Sequence, residues 1–191
     1  MIRKTATLVL LAVAGSALAA PVTYNIDSDH TYPAFEADHM GGLSIWRGKF
    51  NKTSGKVVLD TVAKTGEVDI TIDMTSVDFG HDGMSEHAKN KDMFDVAAHP
   101  TATYKGKISK WNGSAPAEID GQLTMKGVTR PVKLTVNSFL CKPHPMQRVE
   151  VCGADASGTF KRDDFNVDYG KAMGFRMDTK VLISIEAIKA D

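Results

Sequence analysis

Hydrophobic residues recur at every second position over long stretches of this chain, and no other feature narrows the possible folds as much. Val68, Ile70, Ile72 and Met74 alternate with Glu67, Asp69, Thr71 and Asp73. Ile119, Gly121, Leu123 and Met125 interleave with Asp120, Gln122 and Thr124, and Val132, Leu134 and Val136 with Lys133, Thr135 and Asn137. Val181, Ile183, Ile185 and Ala187 repeat the pattern near the end. Side chains of a strand point alternately to its two faces, so this period marks strands with one buried face. Parallel strands are apolar on both faces, so the clean alternation predicts antiparallel pairing around one core. Turn signals separate the runs at Gly41-Gly42, Asn112-Gly113 and Lys126-Gly127. Eight or nine strands are predicted, at about 23–39, 43–51, 55–60, 66–77, 101–111, 116–125, 130–140, 148–162 and 179–189. That many strands without a long helical pattern give an all-β barrel or sandwich.

Two segments depart from the alternation. Gly83 to Asp92 is rich in helix formers, and helical spacing puts Met84, His87 and Ala88 on one face. Asp163 to Gly174 reads as a long connection with one helical turn. Long loops in compact domains carry function, so both are candidate lids.

The start of the chain reads as an export signal, with Arg3 and Lys4, an apolar run from Ala6 to Ala14 and a cleavage pattern at Ala17-Leu18-Ala19. Residues 1–19 are therefore expected to be removed, and residues 20–191 to form one domain in the periplasm. The apolar run is too short to span a bilayer, so no stable membrane span is expected. Basic and acidic residues number 23 each, without blocks, which gives nucleic acid no basic surface to bind. In an oxidising compartment the pair Cys141 and Cys152 predicts one disulfide. No Cys-x-x-Cys, His-Glu-x-x-His, Gly-x-Ser-x-Gly or Gly-rich phosphate loop occurs, so no catalytic residue, metal or cofactor is implied.

The first two strands put bulky groups on one face: Phe35, Ala37 and His39, then Trp46, Gly48 and Phe50. An eight-stranded barrel can be filled by its side chains or can hold one small ligand, and the pattern permits both. Arg162 shares a face with Phe160. It either pairs with Asp163, Asp164 or Asp168, or holds a polar head group.

These residues bring a family into view. Tyr24-x-Ile26-Asp27-x-x-His30, Phe35-x-x-x-His39 and Gly48-x-Phe50 resemble the opening blocks of the YceI-like proteins. Ser76-Val77-Asp78, His87, Asp92-Met93-Phe94-Asp95-Val96 and Pro100 are similar to the family's middle. Gly121-x-Leu123-Thr124-Met125-x-Gly127-Val128-Thr129-x-Pro131-Val132, Phe160-x-Arg162-x-x-Phe165 and Val181 to Ala187 resemble its later blocks. His99 before Pro100 and the cysteine pair depart from much of the family. The resemblance implies an eight-stranded antiparallel lipocalin-like barrel with a short helix near its mouth. It implies an isoprenoid or related amphiphilic lipid, of prenyl phosphate or quinone type, as ligand, and it suggests a homodimer. Face assignment nominates Phe35, His39, Trp46, Phe50, Phe79, Met84, His87, Phe94, Tyr104, Phe160, Arg162, Phe165 and Met173 as the lining, with ordinary core packing as the alternative for each. Two other readings stand beside the carrier: a haem or redox partner with His39 or His87 as ligand, and a stress-induced barrel with no fixed ligand.

Overall fold

The structure, a computed structural model, describes residues 20–191, so the proposed export signal lies outside the described residues. Eleven strand segments lie in one antiparallel sheet that closes on itself. They are β1 (Val22–Ile26), β2 (Tyr32–His39), β3 (Ser44–Phe50), β4 (Thr53–Asp60), β5 (Thr65–Asp73), β6 (Val77–Asp78), β7 (Thr101–Asn112), β8 (Ala115–Met125), β9 (Val128–Pro143), β10 (Glu150–Lys161) and β11 (Asp178–Lys189).

The eleven segments make eight lines of strand. β11 pairs with β2 along Thr179–Ser184 and with β1 along Ala187–Lys189, so β1 and β2 form one line broken at 27–31. β3 pairs with β2 and β4 with β1, so these two are also one line, interrupted only at Asn51 and Lys52. β5 and β6 are joined by a 3-10 turn, Met74–Ser76, and pair with β4 and β3 in turn. Backbone bonds run through the kink, from Asn51 N–H to Ser76 O at 3.2 Å and from Asp73 N–H to Lys52 O at 3.0 Å. The pairings β5–β7–β8–β9–β10–β11 complete the ring. Eight-stranded closure removes the unpaired sheet edge and leaves an interior about one ligand wide.

The sequence places the turns where the chain must reverse tightly. Lys126 and Gly127 both take positive φ, 49° and 74°, joining Met125 and Val128, which face each other in register. That is the two-residue turn whose twist matches the flanking strands, and it needs a glycine. Lys126 then reaches out to the carbonyls of Lys91, Met93 and Asn166 at 2.8–3.0 Å, stitching two crossing loops to this end. The helix α1 (Asp82–Lys89) is started by His81, whose Nδ1 accepts from Met84 N–H at 3.2 Å. Asp82 in its first turn and Lys89 in its last suit the helix dipole. Ala88 is fully buried, and the helix lies over the barrel end beside β6.

The opposite end is clamped by Cys141–Cys152, which join facing residues of β9 and β10. Around it Tyr24, Leu59, Ile108, Cys152 and Ala187 form a buried cluster of their own.

Candidate ligand cavity and its residues

Inward-facing residues of the strands leave space along the bore. The larger cavity, about 550 Å3, opens between α1, the β2–β3 hairpin and the 162–177 connection. A smaller one, about 170 Å3, lies toward the disulfide end. Pro33, Ile72, Leu123, Phe160 and Val181 line both, so this ring of side chains is the constriction between them.

Aromatic side chains build the upper wall. Phe35 stands at the centre of a group, its ring centroid 5.6 Å from Phe50, 5.4 Å from Phe79 and 6.3 Å from Phe94. Gly48 permits this arrangement, since a Cβ there would sit 2.6 Å from Phe35 Cζ. His39 packs edge-on between Trp46 at 5.7 Å and Phe175 at 5.3 Å. Such edge-to-face pairs stabilise beyond the area they bury.

Of the nominated residues, Phe35, His39, Trp46, Phe50, Phe79, Met84, His87, Phe94, Phe160, Arg162 and Met173 face the larger cavity. Tyr104 belongs to the smaller one. Its hydroxyl donates to Val132 O at 2.8 Å and its ring lies over Gly121, where a Cβ would clash. Burial, with the nearby charge of Asp120, pushes its ionisation well above the ordinary tyrosine range. Phe165 is a correction: it is fully buried but lies on neither cavity wall. A 3-10 turn, Arg162–Phe165, swings it behind Phe160, with the rings 5.2 Å apart.

Among the residues that pattern reading passed over are Met40, Met93, Val167, Tyr169, Phe175 and Thr179. Thr179 carried a usable signal, since it alternates with Val181 on the inward face and faces Ala37 across β2. Val167, Tyr169 and Phe175 sit in the irregular connection, where no period exists to place them.

Arg162 is the charged group of this wall with the most unusual setting. It is 8% exposed, and its guanidinium donates to the carbonyls of Val167 at 2.8 Å and Tyr169 at 2.7 Å. Of the two readings of Arg162, the carboxylate pairing with Asp163, Asp164 or Asp168 does not form. Asp163 bonds Lys171 instead, at 2.7 Å, because the 3-10 turn points it the other way. Desolvation outweighs the field of Asp163, Asp168 and Asp38, so the Arg162 pKa falls below its ordinary value. Beside it, His87 stacks edge-on against Tyr169 at 4.8 Å, and its Nε2 is buried without a partner. Thr179 Oγ1 and Asp38 Oδ1 on the same cavity wall are likewise unpaired. Buried polar atoms left in this state are costly unless something else supplies the bond.

A cation-capable cluster lies elsewhere, at the β1–β2 break. Asp27, His30 and Glu186 bring one ligand atom each within 4.8 Å of one another. Here His30 Nδ1 and Asp27 Oδ2 already bond each other at 2.8 Å.

With the geometry in hand, comparison places the chain among known proteins. Residues 24–188 match the YceI-like domain model. A UPF0312 protein of Pectobacterium atrosepticum is 32% identical over 183 residues, covering 94% of this chain and 92% of the relative. A UPF0312 protein of Pseudomonas aeruginosa is 32% identical over 196 residues, covering 99% and 100%. Among solved structures, BcnA of Burkholderia cenocepacia superposes with a TM-score of 0.68 at 23% identity, covering 85% of this chain and 99% of BcnA. A polyisoprenoid binding domain from Saccharophagus degradans gives 0.61 at 15% identity, covering 88% and 99%. At those identities the structural likeness speaks for the shared barrel. The family match over nearly all the described residues does more: this chain belongs to the YceI-like domain family.

Proposed function

We propose that this protein is a periplasmic carrier of an amphiphilic isoprenoid-type lipid, with the head group at Arg162 and the tail in the bore, and that it performs no catalysis. The observation that carries the reading is a buried guanidinium on a mostly apolar wall, satisfied by two carbonyls and free of a carboxylate bond. An apolar cavity with a few convergent polar groups is the usual form of a small-molecule site. A phosphate at this place would take charge-assisted bonds from Arg162, and His87 Nε2 and Thr179 Oγ1 are unpartnered polar atoms on residues of the same cavity lining. The Saccharophagus degradans relative is described as binding polyisoprenoids, which supports the same ligand class for this cavity.

The volume bounds the tail. At about 30 Å3 for each water-sized unit, 550 Å3 holds on the order of 18 non-hydrogen atoms. That suits a head group and about three isoprene units. A longer chain has to pass Phe160 into the smaller cavity.

Native mass spectrometry of protein taken from the periplasm tests the proposal, followed by titration with prenyl phosphates and the matching prenols. A co-purified amphiphile and tail-dependent binding are expected. Arg162→Gln should weaken a prenyl phosphate about tenfold or more while leaving the prenol nearly unchanged. No bound amphiphile, together with no dependence on tail length, would remove the carrier reading.

A further inference from the structure

We infer that the rim of the cavity mouth is a bilayer-docking surface, through which the protein touches an anionic membrane leaflet. The β2–β3 hairpin runs Met40-Gly41-Gly42-Leu43-Ser44-Ile45-Trp46 without a charge. Its apolar side chains point into solvent: Met40 is 57% exposed, Leu43 72% and Ile45 49%. Across the opening, Met173 is 62% exposed.

These residues form one patch because a single carboxylate ties the two loops together. Asp38 Oδ2 accepts from Gly41 N–H at 2.9 Å and from Arg176 N–H at 3.0 Å. A Cβ on Gly41 would lie 3.0 Å from Gly174 O, and one on Gly42 would lie 2.9 Å from the Arg176 guanidinium. Met40 and Met173 both line the cavity and protrude from it, so the exposed patch is continuous with the apolar bore.

The contrast with other exposed hydrophobic groups singles out this rim. Val62 sits between Asp60 and Lys64, and Met146 between His144 and Arg148, at the far end of the barrel, where Leu140 is also exposed on β9, two residues before Lys142. Within the connection over the mouth, Lys171 and Arg176 flank Met173, and its acids, Asp163, Asp164 and Asp168, precede this tip. Lys171 is held by Asp163, while the Arg176 side chain lies over the hairpin. A charge-free apolar tip beside an arginine suits the interface of an anionic bilayer, where acyl chains take the tip and lipid phosphates take the cation. A second copy of this chain fits less well. Four side chains fall far short of the roughly 20–30 residues a side that a stable interface uses.

The purpose of the contact rests on the carrier reading: an amphiphile could pass between leaflet and bore without crossing water. Its existence does not. Co-sedimentation of the mature protein with phosphatidylethanolamine–phosphatidylglycerol vesicles tests it against Leu43→Ser/Ile45→Ser, neither of which lines the cavity. Each lost apolar side chain is worth roughly tenfold in partitioning when fully buried, so the double variant should lose at least tenfold of the vesicle-bound fraction. Arg176→Gln should blunt the loss of binding on adding salt, and Val62→Ser/Met146→Ser should bind as wild type. Farnesyl phosphate titrated without vesicles should bind wild type and the Leu43/Ile45 variant alike. Its failure to bind either protein would sink the carrier reading and leave the docking result standing. The docking proposal is overturned if wild type does not sediment, if the hairpin variant sediments undiminished, or if the far-end variant falls equally. Sedimentation velocity showing a dimer that the hairpin variant abolishes, without any vesicle effect, would overturn it in favour of a second copy.

Discussion

The disulfide end and the mouth of this barrel are made from the same eight lines of strand, yet they solve the interior differently. At the disulfide end, side chains from strands alone meet across the bore. Tyr24, Leu59, Ile108 and Ala187 close on Cys152, and the space left is about 170 Å3. At the mouth, the β5–β6 line is kinked at Met74–Ser76, and a helix and a long connection lie over the opening. Edge-to-face aromatic contacts there hold a wall around 550 Å3. Regular alternation fills a barrel, whereas interruptions widen it and admit polar groups such as Arg162. The difference is sharpened by asking which residues support the opening and which merely face it.

The largest effect is expected behind the wall. Phe165 is fully exposed to its neighbours and not at all to solvent, and removing its ring leaves a void. Phe165→Ala should cost about 3–5 kcal/mol of stability, measured as the urea midpoint at constant m-value. Trp46→Ala, on the half-open wall, should cost less than half of that and weaken prenyl phosphate binding instead. Equal losses from the two would mean that the mouth is an ordinary core.

Next comes the clamp. The disulfide spans 11 residues of sequence, and in the loop-entropy view it contributes about 3 kcal/mol. Cys141→Ala/Cys152→Ala, or reduction, should lower the urea midpoint accordingly and leave ligand affinity within twofold, since neither cysteine touches the larger cavity. A matching loss of affinity would show that the two ends are mechanically coupled.

A smaller effect is expected at the constriction. Phe160→Leu exchanges one hydrophobic group for another and should cost no more than about 1.5 kcal/mol. It should shift the tail preference toward longer prenyl phosphates, by about tenfold for chains that extend beyond four isoprene units. A titration series over tail length reads this directly. No shift would mean that the tail never reaches the ring formed by Pro33, Ile72, Leu123, Phe160 and Val181.

The same contrast explains what could be read from the sequence. The strands of the β7–β11 run follow the two-residue period apart from bulges at Ile108–Trp111 and Asp155–Ala156, and their extents follow it closely. Where the lines bend, period fails. The stretches 43–51 and 55–60 read as two strands, as β3 and β4 are, whereas 23–39 reads as one strand and is broken at 27–31 into β1 and β2. The 3-10 turn at Met74–Ser76 keeps Met74 inward and so is invisible to alternation. Aromatic residues on strands were assignable by face. Phe165 was not, because its direction depends on a turn. The partners of Arg162 are backbone carbonyls of Val167 and Tyr169, and no side-chain pattern encodes a carbonyl.

The smallest effect belongs to the break between β1 and β2, where the mouth half departs from the closed half. His30 bonds Asp27, and that bond, reinforced by the charges of Asp27, Glu186 and Asp29, raises the His30 pKa above its ordinary 6.5. The same bond holds Asp27 below its ordinary 3.8. A histidine whose folded pKa is raised stabilises fully below its unfolded value and loses that contribution as pH rises through the folded one. The carboxylate contributes above 3.8 and loses its part as pH falls through its lowered value. The clip is therefore complete between these limits and opens on the alkaline side first. Wild type should be slightly more stable than His30→Gln at pH 6, with the gap closing by pH 9 and shrinking in high salt, because His30 is exposed. Paired urea titrations at the two pH values measure it. A gap that widens toward pH 9 would show that His30 serves the break as a neutral hydrogen-bonding ring, and that its charge plays no part in holding the two segments in line.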